Sequence, residues 1–137
     1  FSMAEINNKF NSFGYITDPQ EAAKERKDAK LAKIKKEQQA RSQSLFEQLQ
    51  EQRKVYKEVK NAFYQAKSEN HRLKERTRLY HSSEYLRKQD QERYDASTIE
   101  TKDAERTRDI ELSRLQSFTD NYCSSQRQGM LISIFAD

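Results

Sequence analysis

Apolar side chains recur between residues 21 and 86 with alternating spacings of three and four. A seam of this spacing is how long helices pack at shallow crossing angles. Its a positions hold Leu49, Tyr56, Phe63 and the polar Asn70 and Thr77, and its d positions hold Leu31, Leu45, Val59, Ala66, Leu73 and Tyr80. The last helix regains an apolar face, of which the packing candidates are Leu115, Phe118 and Tyr122. The pattern therefore predicts long helices.

The first helix has a clear starting signal at Asp18-Pro19-Gln20-Glu21. Asp18 can cap free amides, Pro19 suits the first helical position, and Glu21 completes a capping box. We expect residues 1–17 to form an irregular segment and residues 18–137 to form one elongated helical domain.

The repeat nearly fails between residues 87 and 109, where few apolar residues stand among charges. One interpretation is a bend or hairpin tip near 87–98, because Ser97-Thr98-Ile99-Glu100 has the form of a capping box. The other is a continuous polar helix through this segment. The sequence leaves both open.

Composition indicates that the helices need partners. The chain has two Gly and one Pro, 35% charged and 34% hydrophobic residues, which suits a narrow seam and not a compact core. Further apolar residues flank the seam, among them Ile34, Phe46, Val55, Ala62 and Leu79. We expect an all-α fold, an elongated antiparallel coiled coil or helical bundle that forms a homo-oligomer, in particular a dimer.

Charge supports a hairpin. Residues 53–88 carry eleven bases against four acids, a net charge of +7, whereas residues 89–112 carry eight acids against four bases, a net of −4. Antiparallel folding would lay the acidic segment on the basic one. Surface pairs contribute only about 0–1 kcal/mol each, so this charge pattern would select register more than it would add stability.

Catalytic chemistry finds little support. His71 and His81 are too far apart to share a metal ion on one helix face, and the carboxylates stand among bases. Cys123 reads as a buried, inert thiol. We expect no enzyme activity, no metal, no cofactor and a cytoplasmic protein, peripheral at membranes if it binds them. The longest apolar run, residues 130–136, is too short to span a bilayer.

Two basic clusters are candidate surfaces for binding anionic phospholipid membranes. Each Lys or Arg near such a membrane contributes about 1 kcal/mol to the binding free energy. Nucleic acid is disfavoured as a partner, because no aromatic stacking platform accompanies the bases. For any single base, a solvated helix face is the simpler interpretation. The candidates are Lys30, Lys33, Lys35 and Lys36 in the first cluster, and Arg72, Lys74, Arg76 and Arg78 in the second.

The last helix resembles the closing helix of the BAR-superfamily membrane-curvature domains, which include those of sorting nexins. The likeness lies in residues 109–126, where Glu111, Leu115 and Phe118 are followed by Tyr122 and Gln126, and the whole resemblance extends at most over residues 30–137. It implies a crescent-shaped antiparallel homodimer of three-helix protomers that uses Lys and Arg on anionic lipids.

These observations give three functional hypotheses. The first is a non-enzymatic helical dimerisation and scaffolding module, of which the most specific form binds anionic membranes. The second is a cytoskeletal or ciliary coiled-coil rod that binds other helical proteins and no lipid. The third is a helical component of a nucleic-acid-associated assembly, which would bind with a steep salt dependence.

Overall fold

Two α-helices make up almost all of the chain that the structure, a computed structural model, describes, namely residues 18–136. Helix α1 is Pro19–Thr77 and helix α2 is Glu84–Ala136. Residues 18–136 contain no strand, so the all-α prediction is confirmed. The segment 1–17, for which the sequence predicts irregular structure, lies outside the described residues, as does residue 137.

Helix α1 begins at Pro19, where the sequence placed its start. The Asp18 carboxylate accepts a hydrogen bond from the Gln20 amide at 3.2 Å, and the Asp18 carbonyl accepts one from the Ala22 amide at 2.9 Å. Pro19 has no amide hydrogen, so the first position of the helix has no donor that needs a partner.

The connection between the helices is residues 78–83 and contains neither Gly nor Pro. The Arg78 and Leu79 amides donate to carbonyls three residues back, at 3.1 and 3.2 Å, which tightens the end of α1. Ser83 then caps α2, because its hydroxyl accepts a hydrogen bond from the Leu86 amide at 3.2 Å. Glu84 adds a negative charge to the first turn.

Residues 87–98, where the sequence allowed a bend, lie inside α2. The turn comes about ten residues earlier, and the continuous polar helix is the alternative that the structure adopts. Ser97 and Thr98 do not start a helix there, because their hydroxyls are engaged elsewhere: both accept from the Asn70 amide group, and Thr98 donates to the Tyr94 carbonyl. Such bonding to the carbonyl four residues back satisfies Thr within a helix.

The chain divides into two compact units, to which each helix contributes. Unit 1 contains residues 18–42 and 125–136 of the described chain, and unit 2 is Gln43–Ser124.

Unit 2 is a helical hairpin in which α1 and α2 run antiparallel. Phe46 packs near Tyr122 with ring centroids 5.6 Å apart, and Gln52 bonds to Glu111. Further along α1, the Ala66 carbonyl accepts from Thr101, and Asn70 reaches Ser97. Partners thus move back along α2 as α1 advances, which defines the antiparallel direction.

The burial pattern of α1 follows the predicted register of seven without interruption. The buried and half-buried positions at spacings of four and three are Leu31, Lys35, Gln38, Ser42, Leu45, Leu49, Gln52, Tyr56, Val59, Phe63, Ala66, Asn70, Leu73 and Thr77. Polar residues therefore occupy many seam positions. Along α2 the same spacing continues through Asp90, Tyr94, Ser97, Thr101, Ala104 and Arg108, which are the residues where the apolar repeat nearly failed.

The seam candidates separate by burial. Leu49, Phe63 and Leu73 are buried, and the half-buried ones are Leu45, Tyr56, Val59, Ala66, Leu115, Phe118 and Tyr122. Tyr80 is 91% exposed, so its placement in the seam was wrong. The reason is that α1 ends at Thr77, and Tyr80 lies in the connection.

Unit 1 packs through polar contacts. Gln38 donates from Nε2 to the Ser125 carbonyl and, at 3.2 Å, to the Ser125 hydroxyl, and the Ser42 and Ser125 hydroxyls are 2.8 Å apart. Gly129 lies against the Gln38 side chain, whose Oε1 would be 2.9 Å from an added Cβ. The described residues of this unit include no large hydrophobic that is fully buried.

Candidate interaction surfaces

The first basic cluster lies on α1 in unit 1. Lys30, Lys33 and Lys36 are exposed and Lys35 is half-buried at a seam position. None of these four lysines has an ion pair with any residue in the range 18–136. The described part of the chain therefore does not neutralise their charges.

The second basic cluster lies at the closed end of the hairpin, but much of its charge is used internally. Arg72 bonds to Glu69 at 2.6 Å, and Arg78 to Glu75 at 3.2 Å. The first of these contacts lowers the pKa of Glu69 and raises that of Arg72, mainly through the hydrogen bond that the two side chains share. Lys74 is exposed and forms no ion pair with another described residue.

Exposed apolar and aromatic side chains gather at the same end of the hairpin. They are Leu79, Tyr80, Tyr85 and Leu86, and Arg87 follows, paired with Glu84. Four exposed side chains of this size within eight residues are unusual for a surface that meets only water. The sequence placed Leu79 and Tyr80 in or beside the packing stripe and did not identify this patch, because the turn has no Gly or Pro to mark it.

A buried carboxylate also lies at the closed end. Asp90 is 7% exposed, and its two oxygens meet His81 Nε2 at 2.8 Å and Arg76 Nε at 3.6 Å. The hydrogen bond from His81, followed by the charge of Arg76, keeps the pKa of Asp90 below its ordinary value. This cluster ties α1, the connection and α2 together. No sequence pattern indicates this cluster, because only the structure identifies Asp90 and Ser97 as seam positions.

Amide side chains make most of the direct hydrogen bonds between the two helices. Gln52 Nε2 donates to the carbonyl and the carboxylate of Glu111 at 3.1 and 2.8 Å. Asn70 Nδ2 donates to Ser97 Oγ at 3.3 Å and Thr98 Oγ1 at 3.0 Å. Each amide has a specific partner, as buried polar groups require. These contacts set the register of the hairpin more firmly than an apolar seam would.

The charge complementarity of the two segments produces few ion pairs across the hairpin. Most ion pairs among the described residues of unit 2 join residues three apart on one helix, such as Glu111 with Arg114 at 3.0 Å. Across the helices, Arg76 meets Asp90, and the Arg108 guanidinium lies 4.5 Å from the Phe63 ring centroid. The pairing of opposite charges is thus a minor part of hairpin packing.

Residues 18–136 contain no cluster of three or more His, Cys, Asp or Glu that could hold a metal ion. Cys123 is exposed, so its placement as a buried thiol was wrong; it directly follows the seam residue Tyr122 and turns about 100° away from the seam. Within the same range, neither helix has an apolar stretch long enough to cross a bilayer.

Comparison with models of protein families, with curated proteins and with solved structures finds no match to this chain.

Proposed function

We propose that the chain is a non-enzymatic helical scaffolding module of the cytoplasm, whose two paired helices bind further helices, first those of a second copy. One observation carries this proposal: within residues 18–136, three large hydrophobic side chains are buried and thirteen are exposed. A hairpin of two helices covers only one stripe of each helix, so the other apolar positions gain burial only against another helix.

Unit 1 has the greatest need of such a partner. It presents Met130, Leu131, Ile134 and Phe135 on the last two turns of α2 and Ile34 on α1, all exposed. Exposed apolar residues that are clustered and not scattered mark interaction surfaces. Bundles of three or more helices cover residues at such flanking positions.

The test is the mass of the chain in solution, measured by light scattering across a range of protein concentrations, with helicity followed by circular dichroism on the same samples. We expect a dimer or higher oligomer at micromolar concentration and a loss of helicity on dilution, because folding and association are coupled. Replacing Leu131 and Phe135 with Gln should shift this transition to higher concentration. A fully helical monomer at all concentrations would contradict the proposal.

A second candidate function is binding to an anionic membrane surface, and the closed end of the hairpin favours it. Leu79, Tyr80, Tyr85 and Leu86 are exposed there, and Lys74 is exposed in the last turn of α1. Tyr and Leu enter the headgroup region readily, and bases beside them gain from anionic lipid. A BAR-superfamily membrane-curvature domain is the finer form of this candidate, supported by the resemblance of residues 109–126.

Co-sedimentation with vesicles containing phosphatidylserine, compared with neutral vesicles, tests this candidate. The substitutions Leu79→Ser and Tyr80→Ser should weaken binding without loss of helicity, because both side chains are exposed. The matched control is Tyr64→Ser, an exposed aromatic away from the hairpin end. An oligomer that binds neither vesicle type supports the hypothesis of a coiled-coil rod. Steeply salt-dependent binding to nucleic acid alone supports the hypothesis of a nucleic-acid-associated assembly.

A further inference from the structure

One face of α1 in unit 1 concentrates positive charge that the described chain does not neutralise. Residues 24–36 carry seven bases against two acids, a net charge of +5. Arg26, Lys27, Lys30 and Lys33 stand at spacings that place them on one side of the helix, beside the exposed Ile34. None of the four bases has an ion pair with a described residue. We call these five residues the basic face.

One face of α2 in unit 2 has the opposite charge around similar apolar residues. Three acids and one base, Arg106, are exposed on this side of the helix. Glu92, Asp95, Ile99, Asp103 and Ile110 lie there together, and all are exposed. We call them the acidic face. Its two isoleucines are 64% and 54% exposed, so α1 does not cover this side of α2.

The acidic face is only partly neutralised by its own helix. Asp103 pairs with Arg106, and Asp95 accepts a hydrogen bond from the neutral Gln91 at 3.0 Å. Glu92 forms no ion pair with another residue of the described chain. Opposite charges on two exposed faces, each with isoleucine among them, are the pattern that steers one helix onto another and fixes its register.

The other basic stretch of α1 is a weaker match because its own chain uses more of it. Between residues 53 and 67, the Lys60 ammonium lies 5.7 Å from the Tyr56 ring centroid, and the Lys67 ammonium lies 5.9 Å from that of Phe63. Arg53 bonds to Gln50 at 3.1 Å. Lys54 and Lys57 remain exposed and without an ion pair among the described residues, which makes them suitable controls.

We propose that the basic face of one copy docks on the acidic face of α2 in a second copy. This inference rests on the self-association proposed above and names the surfaces that carry it. Every copy has both faces, so the contact needs no partner of another kind. A bilayer of anionic lipid would also attract the basic face but would repel the acidic one.

Charge reversal with complementation tests the proposal. The basic-face variant is Lys27→Glu with Lys30→Glu and Lys33→Glu, and the acidic-face variant is Glu92→Lys with Asp95→Lys and Asp103→Lys. Sedimentation equilibrium at low salt should show each variant self-associating at least about tenfold more weakly than the parent, because opposed like charges replace attraction. An equimolar mixture of the two variants should form a heterocomplex within about threefold of the parent affinity.

The control variant, Lys54→Glu with Lys57→Glu, should keep the parent affinity. If the parent self-associates and the two face variants do so equally well, the surfaces are wrong while self-association stands. The same conclusion follows if the mixture fails to restore binding, or if the basic-face variant loses only its binding to phosphatidylserine vesicles. A parent chain that stays monomeric overturns both the inference and the proposed function.

Discussion

Replacing Phe63 with Ala tests whether the hairpin of unit 2 depends on its seam. Phe63 is 7% exposed and lies under the Arg108 guanidinium. Removing a buried Phe costs about 3–5 kcal/mol in a closed core. A seam of two helices can relax toward solvent, so we take the lower bound, about 3 kcal/mol. The lost cation–π contact adds about 0.5–1 kcal/mol.

The assay is urea unfolding followed by circular dichroism, at one fixed protein concentration, because association would otherwise change the apparent stability. With a urea dependence of about 2 kcal/mol per molar, the midpoint should fall by about 1.8 to 2 M. The matched control is Tyr64→Ala, the adjacent aromatic, which is 55% exposed and should cost less than about 1 kcal/mol. Equal losses for the two variants would refute the placement of the seam.

Three further predictions concern polar groups. Gln52→Ala removes the two hydrogen bonds to Glu111 and should cost about 1–2 kcal/mol; an unchanged urea midpoint would show that these bonds do not stabilise the hairpin. Because the pKa of Asp90 is lowered in the folded chain, the ionised carboxylate stabilises the fold at pH values above about 3.9, the ordinary pKa of Asp. This stabilisation is lost as the pH falls through the lower pKa of the folded state. The stability difference between the parent and Asp90→Asn should therefore shrink between pH 7 and pH 3, and a constant difference would argue against it. Gly129→Ala should stabilise by about 1 kcal/mol in a Gln38→Ala background, by helix propensity, and by less in the parent, where the Gln38 side chain must move. Thermal melts of the parent and the three variants decide this, and equal gains in both backgrounds would contradict the contact.

The helical class and the register of α1 could be predicted from the sequence, because both depend on local spacing. The step of seven from Leu49 to Tyr56 and Phe63 fixes which side of the helix faces inward. The same side stays inward where the next positions of the repeat hold polar residues. The start at Pro19 was also predictable, since Asp18 and Pro19 act within a single turn.

The position of the turn and the inner face of α2 were harder to predict. Ser83 caps α2 without Gly or Pro nearby, whereas Ser97 and Thr98 look like a cap and act as partners of Asn70. Whether Ser83 or Ser97 begins a helix depends on which side chains of the opposite helix contact each of them. The exposed apolar patch at the closed end of the hairpin and the Asp90 cluster both depend on where the turn lies. Neither could be located until the position of the turn was known.

The amide contacts between the helices also limit how the chain can change in length. Gln52 and Asn70 on α1 meet Glu111 and Ser97 on α2. The interval between the two amides on α1 and the interval between their partners on α2 are therefore fixed relative to each other. An insertion of seven residues in one interval alone would separate at least one of the two amides from its partner, although the apolar spacing would survive. Insertions and deletions in this hairpin should therefore persist only as matched pairs, one whole heptad in each helix.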